Sequence, residues 1–90
     1  MSELIQKVKT FLTSRKRSYQ FTFQENNVYA QAVLADLAKF CRANKTTFHK
    51  DDRASAVLQG RHEVWLRIQN YLNLSPDELW ELYRRSNIDE

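Results

Sequence analysis

Helical periodicity in four stretches, a near absence of turn-forming residues and one well-signed helix start predict an all-α chain. The predicted form is a compact bundle of four helices at about 3–13, 27–43, 52–71 and 76–85, with an aromatic-rich connector at 18–25. The 90 residues hold one Gly and one Pro, whereas all-β folds need both at their turns. The length fits a single domain, 1–90. A hydrophobic fraction of 42% with five Phe, four Tyr and two Trp is that of a packed globule rather than a disordered tail.

In the first helix, Leu4, Ile5, Val8, Phe11 and Leu12 share a face, and Ser2 is the expected N-cap. Arg15, Lys16 and Arg17 follow. Tyr19, Phe21 and Phe23 then alternate with Gln20 and Thr22, which reads as a short extended connector whose rings plug the core.

The second helix starts at Asn26 or Asn27, either of which can cap it. Ala30, Val33, Leu34, Leu37 and Cys41 form its stripe, widened by Phe40, and it ends near Ala43–Asn44. Asp51 or Asp52 caps the third. Its face carries Ala54, Val57, Leu58, Val64, Trp65, Ile68 and Leu72. Gly60 interrupts that helix and calls for a close helix–helix approach or a break, the former being the expectation.

The fourth helix has the clearest start. Ser75 caps, Pro76 takes the first turn, Glu78 completes a capping box, and Leu74 and Leu79 fall at the positions of a hydrophobic staple. Leu79, Leu82 and Tyr83 are expected in the core with Trp80 at its edge. Arg84 and Arg85 suit the negative end of the helix dipole, and the tail from Ser86 is expected to fray.

Chemistry-bearing residues are sparse. His49, His62 and Cys41 are scattered, whereas a structural zinc site gathers four ligands at short spacings. There is no HExxH, no Gly-rich phosphate loop and no GxSxG. The expectation is a non-enzymatic protein with no cofactor, no metal and no catalytic residue. Cys41 reads as a small buried apolar residue in a reducing compartment. No segment has the apolar length of a membrane span or the apolar core of a signal peptide, so synthesis in the cytoplasm and no membrane partner are expected.

Two charged residues fall near apolar stripes. Arg61 lies within that of helix three and Asp36 beside that of helix two. An Asp36–Arg61 ion pair would satisfy both, and the alternative is that both side chains reach solvent.

The net charge of +3 is unevenly spread, with +5 in residues 1–45 and −2 in 46–90. Lys7, Lys9, Arg15, Lys16 and Arg17, beside aromatic residues, form a candidate nucleic-acid contact. A solvated helix end is the plainer reading. The stretch from Ile68 to Leu82 has the apolar spacing of a helix-turn-helix. However, Asn73 stands at the turn glycine, and Asp77, Glu78 and Glu81 would face phosphates. Eleven aromatic residues exceed what so small a core needs, and Tyr19 and Trp80 are the candidate protein contacts.

The segments VLADLAKFCRANKTTF (33–48) and QGRHEVWLRIQNYLNLSPDEL (59–79) resemble a family of small phage proteins, Bbp19-like, encoded near the head and packaging genes of short-tailed phages. The resemblance spans roughly residues 21–82. It rests on an aromatic lead-in, a VLxDL helix, a Phe-Cys pair, GRRxVWLxI and a Leu-rich turn. His62 stands where the family often has a second Arg, and Ala30 where a Gly often precedes VLxDL. The motifs are core and cap residues and carry over no activity.

The resemblance implies a phage origin, and with it a place in the host bacterial cytoplasm or the virion. The absent chemistry and the surplus of aromatic residues make an accessory protein–protein interaction module the leading expectation, its partner a phage structural or packaging component or a host factor. A nucleic-acid-binding accessory protein and an early inhibitor of a host enzyme are the alternatives, and a homo-oligomer remains open.

Overall fold

The computed structural model describes residues 2–89, with side chains described for residues 3–85. It holds four helices: α1 (Ser2–Thr22), α2 (Val28–Phe40), α3 (Asp52–Asn73) and α4 (Pro76–Asp89). Among the described residues there is no strand, so the all-α class holds. Contacts divide the chain into two units. One comprises residues up to Thr22 together with Gln69 onward; the other is Phe23–Ile68.

In the first unit, Leu12, Tyr71 and Leu79 form the buried cluster, Leu12 being only 2% exposed. Val8, Tyr19, Leu74 and Trp80 pack against it. Helix α1 runs nine residues past the expected Thr13 and absorbs most of the anticipated connector. The reason is positional. Ile5, Val8, Leu12, Arg15 and Tyr19 alternate at three and four residues, so the inward face continues beneath the basic run. No Gly or Pro interrupts it, and the Tyr19 ring stacks on Tyr71 with centroids 4.7 Å apart. Ser2 lies within the helix rather than capping it.

The α3–α4 junction follows the sequence closely. The Ser75 backbone N–H donates to Glu78 Oε1 at 3.1 Å, and the Glu78 N–H donates to Ser75 Oγ at 3.2 Å, which closes the capping box. Leu74 and Leu79 both meet the buried cluster, as the staple requires. Leu82 and Tyr83, expected in the core, are exposed instead, and Trp80 packs inward. Position 79 already fills the space beside Leu12 and Tyr71. Helix α4 continues to Asp89, so residues 86–89 are helical where fraying was expected; Glu90 lies outside the described residues.

In the second unit, Asn27 caps α2, its Oδ1 accepting from the N–H groups of Tyr29 and Ala30. The helix stops at Phe40, earlier than expected. Ala43 N–H donates to the Ala38 carbonyl and Arg42 N–H to that of Lys39, with Arg42 in the left-handed region at φ 54°. This is a Schellman ending with Arg at the position that usually holds Gly. Cys41, at the cap, is buried as expected. Asp51 caps α3, accepting from the N–H groups of Arg53 and Ala54. Gly60 neither breaks α3 nor marks a close approach: a Cβ placed there meets nothing within 4 Å. Nothing in the structure explains the glycine.

Candidate protein-docking face

The predicted basic contact does not form one surface. At about 100° per residue, Lys9 and Lys16 share one side of α1, while Lys7, Arg15 and Arg17 point in three other directions. Three of them are engaged within the chain. Lys9 Nζ lies 3.2 Å from Asp77 Oδ1. The Arg15 guanidinium sits over the Phe11 ring at 4.3 Å. Lys16 Nζ donates to the carbonyls of Tyr71 at 3.4 Å and Leu74 at 2.6 Å. Lys7 and Arg17 are exposed.

The carboxylates that weakened the helix-turn-helix reading have local roles. Asp77 pairs with Lys9, Glu78 serves the capping box, and Glu81 meets Arg84 at 3.0 Å.

The predicted Asp36–Arg61 pair is not formed. Asp36 is exposed and keeps its hydration, while half-buried Arg61 places its guanidinium 4.4 Å from the centre of the Phe40 ring. A π-face partly satisfies the cation without a carboxylate. Tyr19 and Trp80, predicted as partner contacts, are packed on the core cluster of the first unit and are not the open rings. Nδ1 of His62 is buried without a hydrogen-bond partner. Among the described residues, no three His, Cys, Asp or Glu side chains gather where they could hold a metal. No described helix is long and apolar enough to cross a membrane.

The open apolar residues lie elsewhere, mainly on the second unit. Helix α2 is apolar on nearly every side. Its inward face is Ala30, Leu34, Leu37 and the cap Cys41, all buried or half-buried. About a hundred degrees round the helix from them, Tyr29, Val33 and Phe40 are 81%, 53% and 57% exposed, with exposed Asp36 in the same row. On α3 the inward face is Ala54, Leu58, Arg61, Trp65 and Ile68. Val57 and Val64 stand half-open in a row that begins with exposed Arg53. Periodicity marked Val33, Val57, Val64 and Phe40 as apolar but could not tell a core face from an open one. The signal present in the sequence was the excess width of the α2 stripe.

Over residues 19–84 the chain matches the model of the Bbp19-like phage protein family. The match takes in most of the chain, and the protein belongs to that family of phage proteins. No curated protein and no solved structure matches it. The matched span contains α2, α3 and the whole open face. Lys7, Lys9, Arg15, Lys16 and Arg17 all fall before it.

Proposed function

We propose that the protein is a non-enzymatic protein–protein interaction module of a phage, an accessory factor that associates with a head, portal or terminase component in the infected cell and accompanies the virion. The observation that carries this reading is the open apolar surface. A helix that is apolar on nearly all sides is stable when protein covers it. Here Tyr29, Val33 and Phe40 are left to solvent. Such patches mark protein contact sites. The location of the face inside the family-matched span adds support. Nucleic-acid binding is the weaker reading, because Lys9, Arg15 and Lys16 are engaged within the chain.

The test is a photo-crosslinking amino acid placed singly at the exposed residues Phe21, Phe40, Phe48 and Leu82 during infection, with mass spectrometry of the products and of purified virions. Crosslinks to a phage structural or packaging protein are expected. Absence of phage crosslinks, together with absence from virions and early synthesis, would replace this reading with an early inhibitor of a host enzyme.

A further inference from the structure

We propose that the cavity at the C-terminal end of α2 binds the phosphates of a single-stranded nucleic acid. The site lies wholly within the second unit and uses none of the α1 cations. It is a further function beyond the protein-docking reading and does not depend on it.

The sequence supplies the charge. Residues 37–50 hold Lys39, Arg42, Lys45 and Lys50 and no Asp or Glu. The fold gathers three of these cations. Lys39, Arg42 and Lys45 line one open cavity of about 300 Å³, together with Ala35, Ala38 and Ala43, and no carboxylate lines it among the described residues. None of the three belongs to an ion pair among the described residues. Uncompensated cations around one space attract an anion and repel one another without it.

Arg42 separates this cluster from an ordinary helix end. Any cation suits the negative end of a helix dipole, which is reason enough for Lys39. Arg42 instead holds the left-handed position, φ 54°, where Gly would carry no Cβ penalty. Backbone outliers of this kind gather at ligand sites. Its side chain does not serve the helix either: Nε donates to the Thr46 carbonyl at 3.0 Å, in the loop beyond. That bond fixes the guanidinium and leaves its Nη donors for an oxyanion.

The loop that follows carries a ring. Thr46 Oγ1 accepts from the Phe48 N–H at 3.1 Å, so two hydrogen bonds through Thr46 link Phe48 to Arg42. Ser55 Oγ accepts from the His49 N–H at 2.7 Å and donates to the His49 carbonyl at 2.9 Å, which holds the loop on α3. The Phe48 ring is 75% exposed, and its chain neighbours Thr46, Thr47, His49 and Lys50 are polar. A protein anchor needs surroundings that exclude water, whereas a base stacks on a lone ring beside cations. That contrast favours a nucleic acid over an acidic peptide.

Fluorescence anisotropy of labelled single-stranded DNA and RNA with the purified full chain tests the proposal. Affinity should fall with salt at a log–log slope of about −2, three phosphates at about −0.7 each. Lys39→Ala combined with Lys45→Ala should bring the slope to about −0.7. Arg42→Gly, which suits the left-handed backbone, should weaken binding about tenfold with the helical dichroism unchanged. Phe48→Ala should also cost about tenfold. Lys7→Ala combined with Arg17→Ala, at exposed cations of α1, should leave binding as it is.

No binding at low salt, binding indifferent to the Lys39, Arg42 and Lys45 variants, or a duplex held as tightly as the single strand would overturn the proposal. An acidic peptide of equal charge that binds more tightly than the strand would also overturn it and assign the cavity to a protein's carboxylates.

Discussion

Lys16 of α1 closes the C-terminal end of α3: its Nζ donates at 2.6 Å to the carbonyl of Leu74, fifty-eight positions away, and at 3.4 Å to that of Tyr71. The last carbonyls of a helix have no partner within it, and a lysine there meets both the orphan acceptors and the negative end of the dipole. The residue marked by the sequence as a phosphate contact is therefore part of the scaffold. Lys16→Met, which keeps the aliphatic stem, should lower stability by about 1–2 kcal/mol, read as a fall in the urea midpoint at constant slope.

Tyr19 and Tyr71 stack within 12° of parallel above the Leu12 cluster. A double-mutant cycle with Tyr19→Ala and Tyr71→Ala should give a coupling of about 0.5–1.5 kcal/mol. Leu12→Ala, which empties a fully buried site, should cost about 3 kcal/mol. A negligible coupling between the tyrosines would mean that α1 does not extend beside α3 in solution.

The caps at Asn27 and Ser75 each satisfy N–H groups that α2 and α4 would otherwise leave open. Asn27→Ala and Ser75→Ala should each cost about 1 kcal/mol. The two share no hydrogen-bond partner, so the double variant should show the sum within about 0.5 kcal/mol. Thermal and urea unfolding of the three variants measures this.

Gly60 occupies the middle of α3 with open space where a side chain would stand. Gly60→Ala should raise stability by about 1 kcal/mol, since Ala restricts the unfolded chain and favours the helix.

Arg61 and Asp36 should respond unequally to truncation. Arg61→Ala removes the cation above Phe40 and the packed stem, at a cost of about 1 kcal/mol. Asp36→Ala should change stability by less than about 0.5 kcal/mol, as exposed residues outside ion pairs do. Equal losses at the two sites would restore the ion pair that the geometry lacks.

By itself the sequence determined the helical class, the start of α4 and, to within one residue, the caps of α2 and α3, where the structure selects Asn27 over Asn26 and Asp51 over Asp52. All of these are local: a cap and its N–H groups lie within three residues, and a stripe is written in the spacing of side chains along one helix. It also determined the family relationship, carried by the VLADLAKFCR and GRHEVWL segments. Its local signals misplaced the end of α1, because Arg15 to Arg17 looked like a helix terminus while the inward row ran on beneath them to Tyr19. The end of α2 was missed because Arg42, not Gly, takes the left-handed position.

Only the tertiary structure decided which apolar residues are core and which are face. Val33 and Leu34 are adjacent and chemically alike, yet one is open and the other half-buried. Periodicity gives the direction of a side chain around its own helix, whereas burial depends on what another segment, distant in sequence, brings against that direction. The same reason separates Lys16 from Arg17: one cation reaches the carbonyls at the end of another helix and its neighbour, a hundred degrees around, meets water.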